Sequence, residues 1–203
     1  QGDLRIDQHF SDSDTLFGRY SNATSGNIVN PGYFSEYAGG PIFPGNYESK
    51  GNQVVLGYTH IFSPTFLSEF RDGYSHLANT GVNFNQGSDF MEQIGIPGID
   101  GYGYNWQAVA AFGITGVSQV GGSGNIPFNK MTNNYQYSWH FNWIHDRHSI
   151  KWGYDLFRRG MNTVQMGSPS GNFSFNGQFT QNPASPGGTG SGMADALLGL
   201  DAS

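Results

Sequence analysis

The stretch that most constrains this chain is residues 135–159. Tyr135, Tyr137, Trp139, Phe141 and Trp143 alternate with Gln136, Ser138, His140 and Asn142. Side chains on a strand point to opposite faces in turn, so one face is aromatic and the other polar. Ile150, Trp152, Tyr154 and Leu156 then alternate with Lys151, Gly153 and Asp155. Asp146, Arg147 and His148 join the two arms, which is hairpin spacing.

Two settings accommodate such a hairpin. In a soluble sheet the apolar face meets a second layer. In an outer-membrane barrel it meets lipid and the polar face lines the lumen. Composition bears on the choice. Charged residues are 12% of the chain, about half the usual share, and aromatics are 15%. That balance suits a protein whose outer surface is not water, and it also suits a glycine-rich extracellular β protein. The net charge of −6 disfavours nucleic acid as a partner, because no basic stripe is present to neutralise phosphates. The absence of cysteine removes disulfide scaffolds and Cys-based zinc sites. No apolar run approaches the ~18 residues of a membrane-crossing helix. No signal peptide is visible, and the chain opens inside an alternating pattern, so a piece of a longer protein is expected.

Taken in order, Leu4, Ile6 and Phe10 alternate with Arg5, Asp7 and His9, and residues 11–14 form a turn of Asp and Ser. A second strand is expected over 15–21, a third over 53–62 and a fourth over 65–76, the last two joined at Ser63-Pro64. Asp72 falls on the aromatic face of the fourth strand, where a rim position or a polar neighbour is expected for it. Long loops are expected over 22–48 and 77–130, with short local strands or a helical turn near 90–94. After the hairpin, Phe173, Phe175 and Phe179 alternate with Ser174, Asn176 and Gln178. Residues 183–192 read as a flexible Pro/Gly/Ser linker, and 193–200 as a short helix. Short turns follow the first, third and fifth strands, and long connections the second, fourth and sixth. This segregation predicts an all-β fold, an antiparallel up-and-down transmembrane β-barrel segment of about six strands. Its long loops would be extracellular.

At this point the chain resembles the barrel of TonB-dependent outer-membrane transporters, or receptors, in particular their Oar-like branch. The resemblance is carried by Arg5-Ile6-Asp7, Asp14-Thr15-Leu16-Phe17-Gly18-Arg19-Tyr20-Ser21 and Phe66-Leu67-Ser68-Glu69-Phe70-Arg71-Asp72-Gly73-Tyr74. It continues in Ile94-Gly95-Ile96-Pro97-Gly98, His148-Ser149-Ile150-Lys151-Trp152-Gly153, Gly171-Asn172-Phe173-Ser174-Phe175-Asn176-Gly177-Gln178-Phe179-Thr180 and Ala194-Asp195-Ala196-Leu197-Leu198-Gly199. The resemblance implies energised uptake across the outer membrane of a Gram-negative type cell. It also implies outer-membrane lipid around the barrel, a plug domain, a TonB-type energy-transducing partner and a barrel of about 22 strands. Residues 1–203 show neither plug nor partner-contacting box, so a partial barrel is expected. Alone it would leave two unpaired edges, which lipid does not tolerate.

His145 and His148 suggest a metal pair, but no third ligand is evident and a polar turn is favoured. Asp12 and Asp14 lack the remainder of a calcium loop. Residues 188–192 superficially resemble a phosphate cradle, yet they follow a Pro-rich segment and not a strand. No nucleophile elbow or other catalytic motif is present, so an enzyme is not expected, nor is a cofactor. By alternation Arg19, Glu69, Arg71, Lys151, Asp155 and Arg159, with Arg5 and Asp7, would face the lumen, where cross-strand pairing stabilises the wall. The loop aromatics Tyr33, Phe34, Tyr37, Tyr102, Tyr104 and Trp106 are candidates for substrate contact, since such side chains join an apolar body to a polar tip. The leading expectation is a transporter segment that forms wall and loops for uptake of a glycan, peptide or metal chelate. The alternative is a soluble or surface-attached glycan-binding or adhesin module, with Trp139, Phe141, Trp143, Trp152 and Tyr154 buried under a second sheet.

Overall fold

A computed structural model describes residues 1–29, 45–99, 106–122 and 124–203. The main sheet has six strands: β1 (Gly2–His9), β2 (Asp14–Val29), β3 (Gly45–Ser63), β4 (Phe66–Val82), β7 (Phe128–His145) and β8 (His148–Gln165). They lie in that order, each beside its predecessor, and the sheet is not closed. β1 and β2 pair antiparallel from Gly2 opposite Asn22 to His9 opposite Thr15. Between β4 and β7 the chain forms α1 (Phe90–Gln93), β5 (Ala111–Ile114) and β6 (Val120–Gly121). After β8 come β9 (Asn172–Phe175) and α2 (Gly192–Leu197).

The chain divides into two units, each described by itself. The sheet unit comprises residues 1–25, 48–79 and 130–163. It holds the three short turns. Asp146, the first turn residue after β7, takes a left-handed φ of 52°, which aspartate tolerates better than most residues. One face of this unit is the aromatic face. Tyr58 stacks beside His60, which meets Phe62 edge-on at 4.4 Å; Phe62 stacks on Phe66 at 4.8 Å. Phe66 continues to Phe141 and Trp152, which stack on each other at 5.3 Å. This row crosses β3, β4, β7 and β8 next to the short turns. Nothing in the unit covers it. Trp139 is 52% exposed, Trp152 47%, Leu56 46% and Phe70 39%. The alternative, in which a second sheet buries the hairpin aromatics, is therefore not met. Trp139, Tyr154 and Trp143 are all exposed.

Polar groups bound the aromatic face at both levels. On the turn side, Asp14 Oδ1 accepts the Tyr58 hydroxyl at 2.5 Å and lies 2.6 Å from His60 Nδ1. Farther along the strands, Asn52 Oδ1 accepts from Tyr20 and from Asn22, and Asn133 Oδ1 accepts from Tyr74 at 2.8 Å. His76 Nδ1 lies 2.8 Å from the same Asn133 oxygen. The two levels are about eight residues apart along β2, or ~26 Å of strand at ~3.3 Å per residue. A tilt of about 40° leaves ~20 Å along the membrane normal, comparable with the ~25 Å apolar band of outer-membrane barrels. Asp72 lies between the levels. Gly73 beside Gln136 and Tyr74 beside Tyr135 set a register that puts Asp72 next to Tyr137. Among the described residues it makes no hydrogen bond or ion pair, so no bonded polar neighbour is found for it; along β4 it stands two residues from Tyr74 of the outer polar level.

The loop unit comprises residues 26–47, 80–129 and 164–203. It is built differently, around a small buried core of Met91, Val109 and Ala110. Phe90, Ile96, Ile99, Phe112 and Phe173 pack against that core. A three-stranded sheet runs in the order β6-β5-β9. β5 pairs parallel with β9, Ala111 opposite Asn172 and Ile114 opposite Phe175. That one parallel pairing departs from the all-antiparallel expectation. The segment 183–192 is not a free linker: Asn182 N–H donates to Thr189 Oγ1, Gly187 N–H to Gln181 Oε1, and Thr189 Oγ1–H to the Ser185 carbonyl. The main strands also outrun their expected ends. β2 continues to Val29, β3 begins at Gly45, β4 reaches Val82, β7 begins at Phe128 and β8 reaches Gln165. In water a ladder needs only backbone partners, so polar stretches such as Asn22 to Asn27 hold strand geometry without alternating apolar residues.

Candidate functional site

The polar face of the sheet unit collects the charges that alternation assigns to it. Arg19 Nη2 pairs with Asp3 Oδ2 across β1 and β2 at 2.5 Å, and the Ser21 hydroxyl donates to the same carboxylate at 2.9 Å. Arg5 pairs with Asp7 at 2.7 Å, and its guanidinium lies 4.6 Å from the centre of the Phe17 ring. Arg71 and Glu69 approach to 3.6 Å. His140 Nε2 lies 3.1 Å from Asp155 Oδ2. Glu69, His140, Lys151 and Asp155 line one open recess of about 400 Å³. Arg159 donates to Asn134 at 3.2 Å, and Asn134 donates to the Ser75 hydroxyl at 3.1 Å.

The structure thus brings Glu69, Lys151 and Asp155 together around His140 and keeps Arg19 with β1. Arg71 is tied to Glu69, and Arg159 to an amide. These pairs are solvent-exposed, so each contributes no more than about 1 kcal/mol. Chemically the recess can accept and donate hydrogen bonds to a polar solute. At the β7–β8 turn His145 Nε2 faces Asp146 at 3.8 Å.

Of the six loop aromatics, Tyr33, Phe34, Tyr37, Tyr102 and Tyr104 lie outside the described residues. Trp106 is half-buried, and its carbonyl accepts the Ser170 hydroxyl at 3.5 Å. Two features escape a reading by alternation. One is a cavity of about 230 Å³ in the loop unit beside α1; the residues that form it are spread from Gly87 to Ala108 with no period. The other is Asp195, fully buried in α2, whose Oδ2 accepts the Phe179 N–H at 3.3 Å while Oδ1 has no partner among the described residues.

A sequence profile of the outer membrane beta barrel domain family matches residues 1–203. The chain belongs to that family. Its setting is the outer membrane, and membership of the family implies a lipid environment. No curated protein matches the chain in sequence.

Proposed function

We propose that the chain forms wall and extracellular loops of an outer-membrane transporter that takes up a large nutrient by an energised route. The single observation that carries this reading is the division of labour within one chain. Every short turn lies in the sheet unit, and the connections after β2, β4 and β8 supply a loop unit with its own packed core. A barrel that served only as an anchor has no use for such an elaborated loop unit, whereas capture of a solute does. On this reading the aromatic face meets lipid, and Arg19, Glu69, Arg71, Lys151, Asp155 and Arg159 line the lumen. The energy would come from a TonB-type partner, and a plug domain would gate the barrel. The role is transport and not catalysis.

The test is deletion of the whole gene in its native host, followed by growth on single glycans, peptides or metal chelates, with and without a protonophore. The expected result is lost growth on one nutrient class, matched by protonophore treatment of the parent strain. Unchanged growth on all three classes, with the protein abundant in the parent outer membrane, would overturn the reading.

A further inference from the structure

Charge is distributed unevenly along this chain. The loop unit contains no Lys, Arg or His. It contains Glu36, Asp89, Glu92, Asp100, Asp195 and Asp201. All nine Lys and Arg lie in the sheet unit, where nine of the fifteen acidic residues balance them. The chain's net charge of −6 is therefore the charge of the loop unit.

The 230 Å³ cavity lies inside this unit. Met91, Ile96 and Ile99 give it an apolar wall, and Ser88, Asp89 and Glu92 give it acceptors. The Ser88 hydroxyl oxygen is buried and has no hydrogen-bond partner among the described residues. Asp89 accepts from Gln93 Nε2 at 2.7 Å through Oδ1, and no hydrogen bond reaches its Oδ2 or the Glu92 carboxylate among the described residues. A buried hydroxyl without a partner is costly unless something pairs with it. An anionic ligand would find no cation anywhere in the unit. A donor-bearing cation would satisfy the hydroxyl, meet both carboxylates and be drawn in by the field of the whole unit. The apolar wall asks for a hydrocarbon body behind that charge.

We propose that this cavity binds a primary ammonium group carried on a short alkyl chain, as found on simple amines and on lysyl side chains. The inference deepens the uptake reading and rests on it for the fate of the ligand, but the binding step stands by itself. It makes the captured solute a cation.

The test uses the full-length protein in detergent and three probes of equal length: hexylammonium, hexanol and hexanoate. Ligand-observed NMR gives their affinities at low and high salt. Hexylammonium is expected to bind at least about tenfold more tightly than hexanol, with hexanoate weakest, and to weaken as salt rises. D89N/E92Q should cost hexylammonium about tenfold or more, and I99W, which fills the cavity, should abolish binding. Equal binding of the three probes, or unchanged binding in both variants, overturns the proposal. The two readings fail separately. A protein that binds hexylammonium but supports no energised uptake keeps the site and loses the transporter role. One that supports uptake and ignores hexylammonium does the reverse.

Discussion

Phe17 on β2 lies over Gly57 on β3, so close that a Cβ on Gly57 would overlap the aromatic ring. The same ring carries the Arg5 guanidinium at 4.6 Å. A glycine, an aromatic and an arginine thus interlock on the polar face across three strands. The missing side chain of Gly57 is what lets Phe17 lie flat.

Gly57→Ala should therefore destabilise the folded protein, by about 1–3 kcal/mol, because the ring must turn away from both neighbours. In a Phe17→Ala background the same change should cost much less, giving a coupling of about 1 kcal/mol in a double-mutant cycle. The temperature at which the folded, detergent-resistant band of the full-length protein disappears measures this. Additive losses would show that the two residues do not interlock.

Asp72 and Phe70 share the aromatic face of β4 and should respond in opposite directions. Phe70→Arg places a charge in the apolar band and should cost about 2–4 kcal/mol. Asp72→Leu removes an unpartnered carboxylate from the same band and should stabilise the protein in lipid by about 1 kcal/mol or more. Unfolding titrations in phospholipid vesicles measure both. A destabilised Asp72→Leu would mean that the carboxylate has a partner in the assembled barrel.

Asp201 supplies a pH-dependent tie in the loop unit. Its carboxyl is held below its ordinary value of 3.8, first by the Ser203 hydroxyl and then by backbone N–H groups of Ser174, Ser203 and Ala202. Because the folded value is depressed, the tie is fully present above the ordinary aspartate value. It is lost as pH falls through the folded one. Hydrogen exchange of the segment containing Ser174 should speed up relative to its intrinsic rate below about pH 4. In Asp201→Asn it should show no such step.

What could be read from the chain beforehand follows from what generates a period. The strands between Leu16 and Tyr20, Val54 and Phe62, or Tyr135 and Leu156 alternate because their two faces carry opposite chemistry, one apolar and one polar. Their faces are therefore written in the sequence, whereas the grouping of Glu69, Lys151 and Asp155 around His140 depends on strand register and is seen only in the structure. Beyond Asn22 or before Gln53 both faces meet polar surroundings. The backbone ladder continues there without leaving an alternation to read. The loop unit is hidden for a different reason. Ala108 to Ala111 are buried by residues distant in sequence, and the parallel pairing of β5 with β9 joins segments some sixty residues apart. Local pattern carries no trace of such a contact. The cavity near Ser88 inherits that silence, although the charge segregation around it was available by counting.

Asp195 gives the most direct test of how that charge segregation acts on folding. It is completely buried and accepts one hydrogen bond, from Phe179, while its second oxygen has no partner among the described residues. The loop unit contains no cationic side chain to offset it. A buried carboxylate without a cation costs several kcal/mol of desolvation, which a neutral isostere does not incur. Asp195→Asn keeps an oxygen for the Phe179 N–H and places an amide where the orphaned oxygen stands. It should therefore leave stability unchanged or raise it by about 1 kcal/mol. Asp195→Ala is neutral too but strands the Phe179 N–H, so it should be about 1–3 kcal/mol less stable than Asp195→Asn. Thermal unfolding of the two variants side by side separates the hydrogen bond from the charge. A large loss in Asp195→Asn would show that the negative charge itself is required, and that a cation from outside the unit meets it.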